Sequence, residues 1–546
     1  RKDEKPIKNK TLKAIDSTLG KMLDALDDFY QKTLNWVLDH KRTTIIISAV
    51  IFLGSLALIP LVGTEFMPKS DQGQMTVTME LQSGTRLEET SKYVLEVEKI
   101  IKKDFPEVQF YSGRSGTSTE GFSSLLIGQS EGSNIANITI RLSKKVERTR
   151  SIFEIADALR KKIEPIAGIK TLTVSTSGMD AAMMGGGSPI EIDVIGPDLE
   201  QSNKIANQIK DFMANLNGTR DVKLNVGDPK PELQVKLSRE KLALNGLNTA
   251  MVANTLRNNI YGMTASKYRE LGDEYDIFLK YPPSERTSIT QIENLPISTP
   301  MGGIIKLKEL GTVSEQYTPT EIKRKNQERV ITVVSDVQGR SLGDVTADIK
   351  NYVSKLDLPQ NITIEYGGQI EQQSDSFKDL GLLLLLSIVL VYMVMAAQFE
   401  SFLDPFIVMF SVPFAFTGVI LALLVTGVPL NIMSILGAIM LVGIVTKNAI
   451  VLVDFTNITR ARNIPLREAI VYSGRNRLRP VLMTTLTTLL GTLPLAMSTG
   501  QGSENWQPLG IATVGGLLFS SIITLVLVPV LYSVFETRTK QKKEID

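Results

Sequence analysis

Long apolar stretches lie on either side of one long stretch of mixed polarity in this chain. A membrane-spanning helix needs about 20 mainly apolar residues to cross a hydrocarbon core of about 30 Å. Stretches of roughly that length lie at residues 43–61, 380–397, 402–425, 432–455, 480–497 and 511–535. The pattern therefore predicts an α-helical membrane bundle with six spans in this chain.

Between the first two spans the apolar runs give way to short periodic elements. Residues 74–82 alternate in polarity as a strand does, and residues 87–103 carry apolar side chains at helical spacing. A second amphipathic helix is predicted at 151–166, with Ser151 as its cap. Further strands are predicted at 108–111, 134–142 and 171–176. This β-α-β-β-α-β order is that of an α+β ferredoxin-like subdomain.

The same order recurs once more, with an interruption. The first half comprises a strand at 190–195, a helix at 199–215 and a strand at 222–226, and the second half has corresponding elements at 330–337, 342–356 and 362–366. Residues 231–317 lie between the halves and are flanked by prolines. Such an insertion suits a protruding docking module better than the core of an enzyme.

These patterns predict the following domain boundaries. Residues 1–42 form a cytoplasmic linker with an amphipathic segment, 43–62 the first span, and 63–188 the first extramembrane subdomain. Residues 189–230 and 318–375 form the second extramembrane subdomain, and 231–317 form the inserted docking subdomain. Residues 376–536 form a five-span bundle, and 537–546 a cytoplasmic tail.

Basic residues are distributed unevenly over the connectors. His40, Lys41 and Arg42 precede the first span, whereas the connectors at 426–431 and 498–509 carry no Lys or Arg. Six arginines lie between the fourth and fifth spans, namely Arg460, Arg462, Arg467, Arg475, Arg477 and Arg479. By the positive-inside rule we expect both termini to be cytoplasmic and residues 63–375 to lie outside, which in a bacterium with two membranes means the periplasm.

Composition excludes several classes of function. With 60 basic and 58 acidic residues the net charge is +2, so no general attraction to nucleic acid is expected. There is no cysteine and one histidine, which excludes disulfides, thiolate sites and histidine clusters. The chain opens with RKDEKPIKNK, without an initiator methionine or an early apolar run, so we expect it to continue a longer polypeptide.

Lys447 lies in the middle of the apolar stretch 432–455. A charge at that depth costs about 2.5–3.5 kcal/mol on insertion scales, so it predicts a relay or transport role and a counter-charge on a neighbouring helix. Asp454 lies on the same helical face but near the cytoplasmic end, where an interfacial charge is expected rather than the partner. The sequence has no nucleophile elbow, Walker-type phosphate loop or metal-binding histidine pair, so we expect no enzyme and no cofactor, with an ion gradient as the energy source.

Small residues within the spans have a structural interpretation. They are predicted to mark close approaches between helices, at Gly437, Gly443, Gly491, Gly515 and Gly516.

Two glycine-rich loops are further candidates for function. Residues 113–133 are either a disordered surface loop or a gate over an apolar pocket, because long loops in compact domains are often functional. The gate would use the apolar side chains Phe122, Leu125, Leu126 and Ile127. Residues 177–188 contain Met179, Met183 and Met184, which are either adaptable packing or soft ligands for Cu(I) or Ag(I).

Four segments resemble resistance-nodulation-division (RND) efflux transporters, and most of all their hydrophobe/amphiphile multidrug branch. GTEFMPKSDQG (63–73) resembles the segment after the family's seventh span, and AAQFESFLDPFIVMFSVPFAF (396–416) the junction of the eighth and ninth. GIVTKNAIVLVDF (443–455) is similar to the tenth span, and RLRPVLMTTLTTLLGTLPLAMSTGQGSE (477–504) to the eleventh and its exit loop. Together these segments cover almost the whole membrane part.

The resemblance implies roles for single residues. Lys447 takes the place of the family's relay lysine, which pairs with two aspartates on the fourth span, and Asn448 follows it as in the family motif. Thr484 matches a hydroxyl position of the proton relay, and Arg477 the arginine that begins the eleventh span. The extramembrane subdomains correspond to porter subdomains, the insertion to the docking subdomain, and the first loop to a gate between drug pockets.

The resemblance also implies partners. The family duplicates this unit and carries the aspartate pair in the first copy, whereas no span predicted here contains adjacent aspartates. We therefore expect this chain to be the C-terminal half of an inner-membrane permease that needs its N-terminal half. The expected assembly is a homotrimer with a periplasmic adaptor protein and an outer-membrane channel.

The function expected from the resemblance is antiport of protons and amphiphilic or hydrophobic compounds, driven by the proton-motive force. The alternatives are a Cu/Ag exporter of the same architecture and a relative that handles lipids or proteins.

Overall fold

A computed structural model describes residues 10–117, 132–176, 188–226, 229–318 and 322–543. In chain order its α-helices are α1 (Lys10–Asp39), α2 (Lys41–Ala57), α3 (Ile59–Val62), α4 (Leu87–Asp104), α5 (Ile152–Ile163), α6 (Leu199–Ala214), α7 (Arg239–Leu244), α8 (Thr249–Ile260), α9 (Ile289–Glu293), α10 (Leu307–Leu310), α11 (Leu342–Val353), α12 (Gln369–Phe399), α13 (Leu403–Met409), α14 (Ser411–Thr426), α15 (Ile432–Arg460), α16 (Leu466–Ala496) and α17 (Gln507–Lys543). Its strands are β1 (Gln74–Leu81), β2 (Val108–Thr117), β3 (Gly132–Leu142), β4 (Ile169–Ser175), β5 (Ile190–Ile195), β6 (Thr219–Leu224), β7 (Lys230–Leu237), β8 (Met263–Glu270), β9 (Asp273–Leu279), β10 (Pro296–Ser298), β11 (Ile304–Lys306), β12 (Gly311–Thr318), β13 (Arg324–Lys325), β14 (Glu328–Val337) and β15 (Thr363–Gly367).

The chain forms two compact units. The larger unit comprises Arg1–Glu80, Glu88–Asn225 and Arg324–Asp546, and the smaller comprises Leu81–Leu87 and Val226–Lys323. The smaller unit therefore contains all residues of the predicted insertion, 231–317. Its core gathers apolar side chains from short helices and their connections, including Leu242, Leu247, Val252, Leu307 and Leu310.

The first sheet of the larger unit has the strand order β2-β3-β1-β4, and β3 pairs antiparallel with both β1 and β2. Strand β1 buries every second side chain, as its alternating sequence predicts, and Val77 lies opposite Ile138 of β3. Helices α4 and α5 bury their apolar stripes with this sheet, with Ile101 and Leu159 almost inaccessible to solvent. Helix α5 begins with a capping box between Ser151 and Glu154.

The second sheet is assembled from strands on both sides of the insertion. Strand β14 pairs with β5 and β6, and β15 pairs with β5, all antiparallel. The side chain of Asp193 on β5 is buried, accepts a hydrogen bond of 2.8 Å from Thr332 and pairs with Lys325 at 2.9 Å. Two segments far apart in the sequence thus close one hydrogen-bonded sheet.

The membrane part contains, among the described residues, four helices long and apolar enough to cross a membrane rather than the predicted six. They are Gln369–Phe399, Leu403–Thr426, Ile432–Arg460 and Gln507–Thr537. The predicted span at 43–61 falls on α2 and α3, and the 17 residues of α2 extend about 26 Å at 1.5 Å per residue, short of the apolar core. The span predicted at 480–497 is the second half of α16, in which threonines dilute the apolar residues, and the arginines of this helix precede Pro480.

Close contacts between helices hold the bundle together. A Cβ atom added to Gly418 would lie 2.5 Å from the carbonyl oxygen of Gly515, so α14 and α17 touch through their backbones. Gly437, Gly515 and Gly516 are also close-contact positions, as predicted. Gly443 and Gly491 are not, because a Cβ added to either would have nothing within 4 Å.

Helix α1 packs on α16 and α17 through one face. Tyr30 and Leu34 are buried there, and the hydroxyl of Tyr30 donates a hydrogen bond of 2.8 Å to the carbonyl oxygen of Leu525. Burial raises the pKa of Tyr30 above its usual value. Arginines of α16 form ion pairs with aspartates of α1, in the pairs Arg467–Asp39, Arg475–Asp28, Arg479–Asp24 and Arg479–Asp27.

Candidate functional site

Lys447 lies near the middle of α15, one of the four apolar helices. It follows Ile432 by 15 residues and precedes Arg460 by 13, which places it about 23 Å and about 20 Å from the two helix ends. Its side chain is exposed on the surface of this chain. Within the described ranges no carboxylate forms an ion pair with it.

The neighbouring residue Asn448 points into the bundle and is buried. Its amide nitrogen donates a hydrogen bond of 3.0 Å to the hydroxyl of Thr485, and its amide oxygen accepts one of 3.4 Å from Thr484. The hydroxyl of Thr485 in turn lies 3.4 Å from that of Ser521 on α17. We call these four side chains the polar network, and they connect α15, α16 and α17 inside an apolar bundle.

The structure separates Arg477 from the polar network. Arg477 precedes Thr484 by seven residues on α16, about 10 Å along the helix axis. Its guanidinium carbon lies 4.2 Å from the ring centroid of Phe455, the geometry of a cation–π contact. Its Nε atom is buried and has no hydrogen-bond partner among the described residues. The four candidate relay residues thus lie in three places: Lys447 on the exposed surface, Asn448 with Thr484 in the network, and Arg477 nearer the arginine-rich end.

Thr485 and Ser521 are network residues that the sequence analysis missed. Both lie in apolar stretches in which neighbouring residues also carry hydroxyls, at Thr484 and Ser520, so composition alone could not select between adjacent positions. Thr485 and Ser521 differ from their neighbours in the direction their side chains take relative to Asn448. That direction can be known only once the packing of the three helices is known.

The other candidates lie outside the described residues. Phe122, Leu125, Leu126 and Ile127 of the predicted gate, and Met179, Met183 and Met184 of the alternative metal site, belong to this group. Within the described part of the chain, no group of three or more His, Cys, Asp or Glu residues could hold a metal ion.

A second set of polar contacts joins the bundle to the first sheet. Lys145 pairs with Glu504 in the connection between α16 and α17, and the amide of Gly502 donates a hydrogen bond of 3.1 Å to the carbonyl oxygen of Asp71. The Asp71 carboxylate pairs with Arg148 and accepts a hydrogen bond of 3.0 Å from the amide of Ile152. We call this set the sheet–bundle joint. It links the helices that carry Thr484 and Ser521 to the base of the first sheet.

The fold and the site together define a helical membrane protein. It has a polar network inside its helical bundle, and two β-sheets with their helices lie outside that bundle. The chain belongs to the AcrB/AcrD/AcrF family of RND permeases, whose family model matches residues 5–536. These permeases are secondary transporters and not enzymes. The resemblance inferred from the sequence is therefore confirmed at the level of the family.

Relatives of this family differ in what they are named for. The chain is 30% identical over 526 residues to the swarming motility protein SwrC of Bacillus subtilis, covering 95% of this chain and 48% of that protein. It is 28% identical to the cobalt-zinc-cadmium resistance protein CzcA of Cupriavidus metallidurans, over 92% of this chain and 48% of CzcA. It is also 28% identical to the multidrug resistance protein MdtC of Escherichia coli, over 98% of this chain and 51% of MdtC.

A solved structure described as a heavy metal efflux pump matches 94% of this chain and 52% of its own with a TM-score of 0.79 and 25% identity. The chain spans about half the length of the curated relatives that it matches.

Proposed function

We propose that this chain is the second half of an inner-membrane permease that exports amphiphilic or hydrophobic compounds in exchange for protons. The observation that carries the proposal is the position of Lys447 on the exposed surface of α15. A charged side chain is placed at mid-helix depth on the surface of α15, and no described carboxylate pairs with it. A charge at that depth in a membrane is costly without a partner, so a counter-charge from the first half of the permease explains the position best.

Two exposed glycines indicate that another helix could pack against that surface. Gly443 lies one helical turn from Lys447 on the exposed side of α15, and Gly491 is exposed on α16. Neither has a neighbour within 4 Å of an added Cβ. Small residues in membrane helices usually allow another helix to approach closely. The surface around Lys447 is therefore suited to contact the helices that carry the family's aspartate pair.

The mechanism follows from this arrangement. Ionised aspartates of the first half pair with Lys447, and their protonation from the periplasm breaks the pair. The polar network holds Asn448, and hence α15, in register with α16 and α17 during that exchange. Movement of α16 and α17 then reaches the first sheet through the sheet–bundle joint. One charge crossing 100 mV supplies about 2.3 kcal/mol, enough to bias such a cycle.

The remaining architecture is proposed on the same basis. The two sheets with their helices serve as ferredoxin-like porter subdomains, and the insertion as the docking subdomain. Both termini are cytoplasmic, and residues 63–375 are periplasmic, because the arginine-rich connectors lie at one end of the spans. The working assembly is a homotrimer with a periplasmic adaptor and an outer-membrane channel.

A metal-ion exporter is the second candidate, favoured by the similarity to CzcA and to a heavy metal efflux pump. Substituting Met183 and Met184 by Leu separates the two candidates. Metal export through these thioethers predicts loss of copper or silver tolerance, whereas drug export predicts no change in tolerance to dyes and detergents.

The proposal is tested by the susceptibility of pump-deficient cells that express the complete reading frame containing this segment. We expect tolerance to dyes, detergents and lipophilic antibiotics with Lys447 present, and its loss in Lys447→Ala. The matched control is Lys103→Ala, which removes an exposed lysine at the end of α4. Equal tolerance of cells carrying Lys447 and Lys447→Ala would contradict the relay role. Lysine-dependent tolerance to copper or silver alone would select the metal exporter.

A further inference from the structure

Helix α16 carries two of the four polar-network residues and has a proline just ahead of them. Pro480 lies inside α16, four residues before Thr484 and five before Thr485. A proline has no amide N–H for the helix ladder, and its ring crowds the carbonyl group four residues earlier, so a helix can bend there. The direction in which α16 continues beyond Pro480 is therefore set by contacts close to that residue.

Arg479, the residue directly before Pro480, is held by two carboxylates of α1. Its Nη2 atom lies 2.5 Å from Oδ1 of Asp24 and 2.7 Å from Oδ2 of Asp27. Its Nε atom also donates a hydrogen bond of 2.8 Å to Oδ2 of Asp27. A guanidinium group is planar and carries its donors in a fixed fork, so two carboxylates on one helix define its orientation. The contact therefore constrains the rotation of α16 as well as its distance from α1.

The carboxylate of Asp27 is enclosed between the helices. Its side chain is 11% exposed, and its Oδ1 atom is buried without a hydrogen-bond partner among the described residues. A buried carboxylate is costly unless a positive charge lies beside it. The pairs Arg467–Asp39 and Arg475–Asp28, in contrast, are about half exposed, and such pairs contribute little to stability. Of these ion pairs between α1 and α16, the one with Asp27 is the most enclosed.

The two helices also approach closely about one and a half turns before Arg479. A Cβ atom added to Gly474 would lie 2.8 Å from Cδ2 of Leu34 and 3.1 Å from a ring carbon of Tyr30. The hydroxyl of Tyr30 bonds in turn to α17, at the carbonyl oxygen of Leu525. Two points on one side of α16 are thus fixed against a helix that is itself attached to α17.

We propose that Arg479 is a positioning residue for the polar network. Held by the aspartates of α1, it sets the direction in which α16 continues beyond Pro480. Thr484 and Thr485 follow about 8 Å and about 9 Å further along the helix axis, and their hydrogen bonds to Asn448 depend on that direction. The inference deepens the proposed function and rests on it for the part that the network plays in proton exchange.

The first measurement follows the position of α16 in the complete permease, without a proton gradient. The segment contains no cysteine, so Met497→Cys after the end of α16 and Val425→Cys in α14 provide two sites for spin labels in a permease without other cysteines. Both side chains are exposed, at 67% and 85%. Co-expression with an excess of unlabelled permease leaves most assemblies with one labelled protomer. Double electron–electron resonance should then give one narrow distance distribution.

Arg479→Lys keeps the positive charge and removes the fork. We expect a broader distribution or a second distance, and a maximal transport rate that falls several-fold at an unchanged half-saturating concentration, since the substrate contacts remain. The melting temperature should change little, because a cation still lies beside Asp27. The matched control is Arg467→Lys, the same change at an arginine of α16 that pairs with α1 but lies 17 residues before Thr484. This control should match the parent.

A second variant tests the contact from the side of α1. Asp24→Asn removes one of the two carboxylates at a side chain that is 73% exposed, so the fold is retained. It should also broaden the distribution and slow transport. Combined with Arg479→Lys it should cost less than the product of the two single effects, because both changes break the same contact.

Three results would overturn the inference. They are a distribution and a rate in Arg479→Lys equal to those of the parent, slow transport with a distribution that stays narrow, and fully multiplicative effects in the double variant. A broader distribution with an unchanged rate would confirm the positioning and contradict the part of the network in transport. Lys447→Ala should leave the distribution narrow, so failure of the proposed proton coupling and failure of this inference give different results.

Discussion

At the scale of residues, the bundle is organised by a few polar side chains in an apolar surrounding. Asn448, Thr484, Thr485 and Ser521 satisfy one another across three helices. A buried polar group that makes no hydrogen bond in such a surrounding carries a desolvation cost. The network therefore fixes the rotation of α15 and, with it, the direction in which Lys447 points.

The first prediction concerns Thr485. Thr485→Val removes the hydroxyl that accepts from Asn448 and leaves a buried amide group unpaired, at a cost of about 1–2 kcal/mol. We expect a lower melting temperature of the purified permease and weaker transport. Thr487→Val is the control, since among the described residues the Thr487 hydroxyl donates a hydrogen bond only to the carbonyl oxygen of Met483 in its own helix. Equal melting temperatures of the two variants would show that the network does not stabilise the bundle.

The second prediction concerns Glu107 and pH. Hydrogen bonds of 2.7 and 2.8 Å from Arg150 hold the pKa of Glu107 below its usual value. The stabilisation is therefore present above the pKa of the unfolded carboxylate, about 4.3, and is lost as the pH falls through the lower pKa of the folded state. Amide hydrogen exchange of residues 105, 107–110 and 143, corrected for intrinsic rates, measures this stabilisation as protection of the local backbone.

In the parent protein, protection of these amides should fall on acidification. Glu107→Gln should begin with less protection and change little with pH, because the group that titrates has been removed. A parallel fall in both proteins would assign the acid sensitivity to other groups.

At the scale of elements, the periodic strands and amphipathic helices could be predicted from sequence. The alternating residues 74–82 correspond to β1. The strand expected at 190–195 is β5, and the strand expected at 330–337 lies within β14. These elements have one buried and one solvated face, so burial is visible in the spacing of apolar residues.

Two spans were predicted less well, for physical reasons. Apolar content does not specify where a helix breaks, and α2 ends at Ala57, before the apolar run does. The pairing of residues in the polar network could not be predicted either, because it depends on the rotation of three packed helices. The gate and methionine candidates lie outside the described residues and stay predictions.

The third prediction concerns the sheet–bundle joint. Lys145→Glu places two like charges together and should reduce transport several-fold while substrate still binds. The double variant Lys145→Glu with Glu504→Lys restores the pair with reversed charges and should recover most of the transport. The parent pair is partly exposed, at 32% and 23%, so little effect on the melting temperature is expected.

The measurement is the maximal rate and half-saturating concentration of transport in proteoliposomes. Coupling through this joint predicts a change in the rate with little change in half-saturation. If the double variant transports no better than Lys145→Glu, the pair does not couple the two regions.

At the scale of the whole molecule, the chain has the fold of a family member at about half the length of its relatives. Lys447, Gly443 and Gly491 lie on an exposed surface of the bundle, whereas Asn448 and its network face inward. One side of α15 therefore packs within this bundle, and the other side is free to contact a second half of the membrane domain. We therefore propose that Lys447 belongs to a proton-coupled pair completed from outside this segment.

The most direct test is proton flux in proteoliposomes that contain the complete permease and an internal pH-sensitive dye. We predict that adding an amphiphilic substrate under an imposed pH gradient accelerates proton movement when Lys447 is present. Lys447→Ala should abolish that acceleration while the protein remains folded and assembled. Substrate-dependent proton flux of equal rate with Lys447 and with Lys447→Ala would contradict the account.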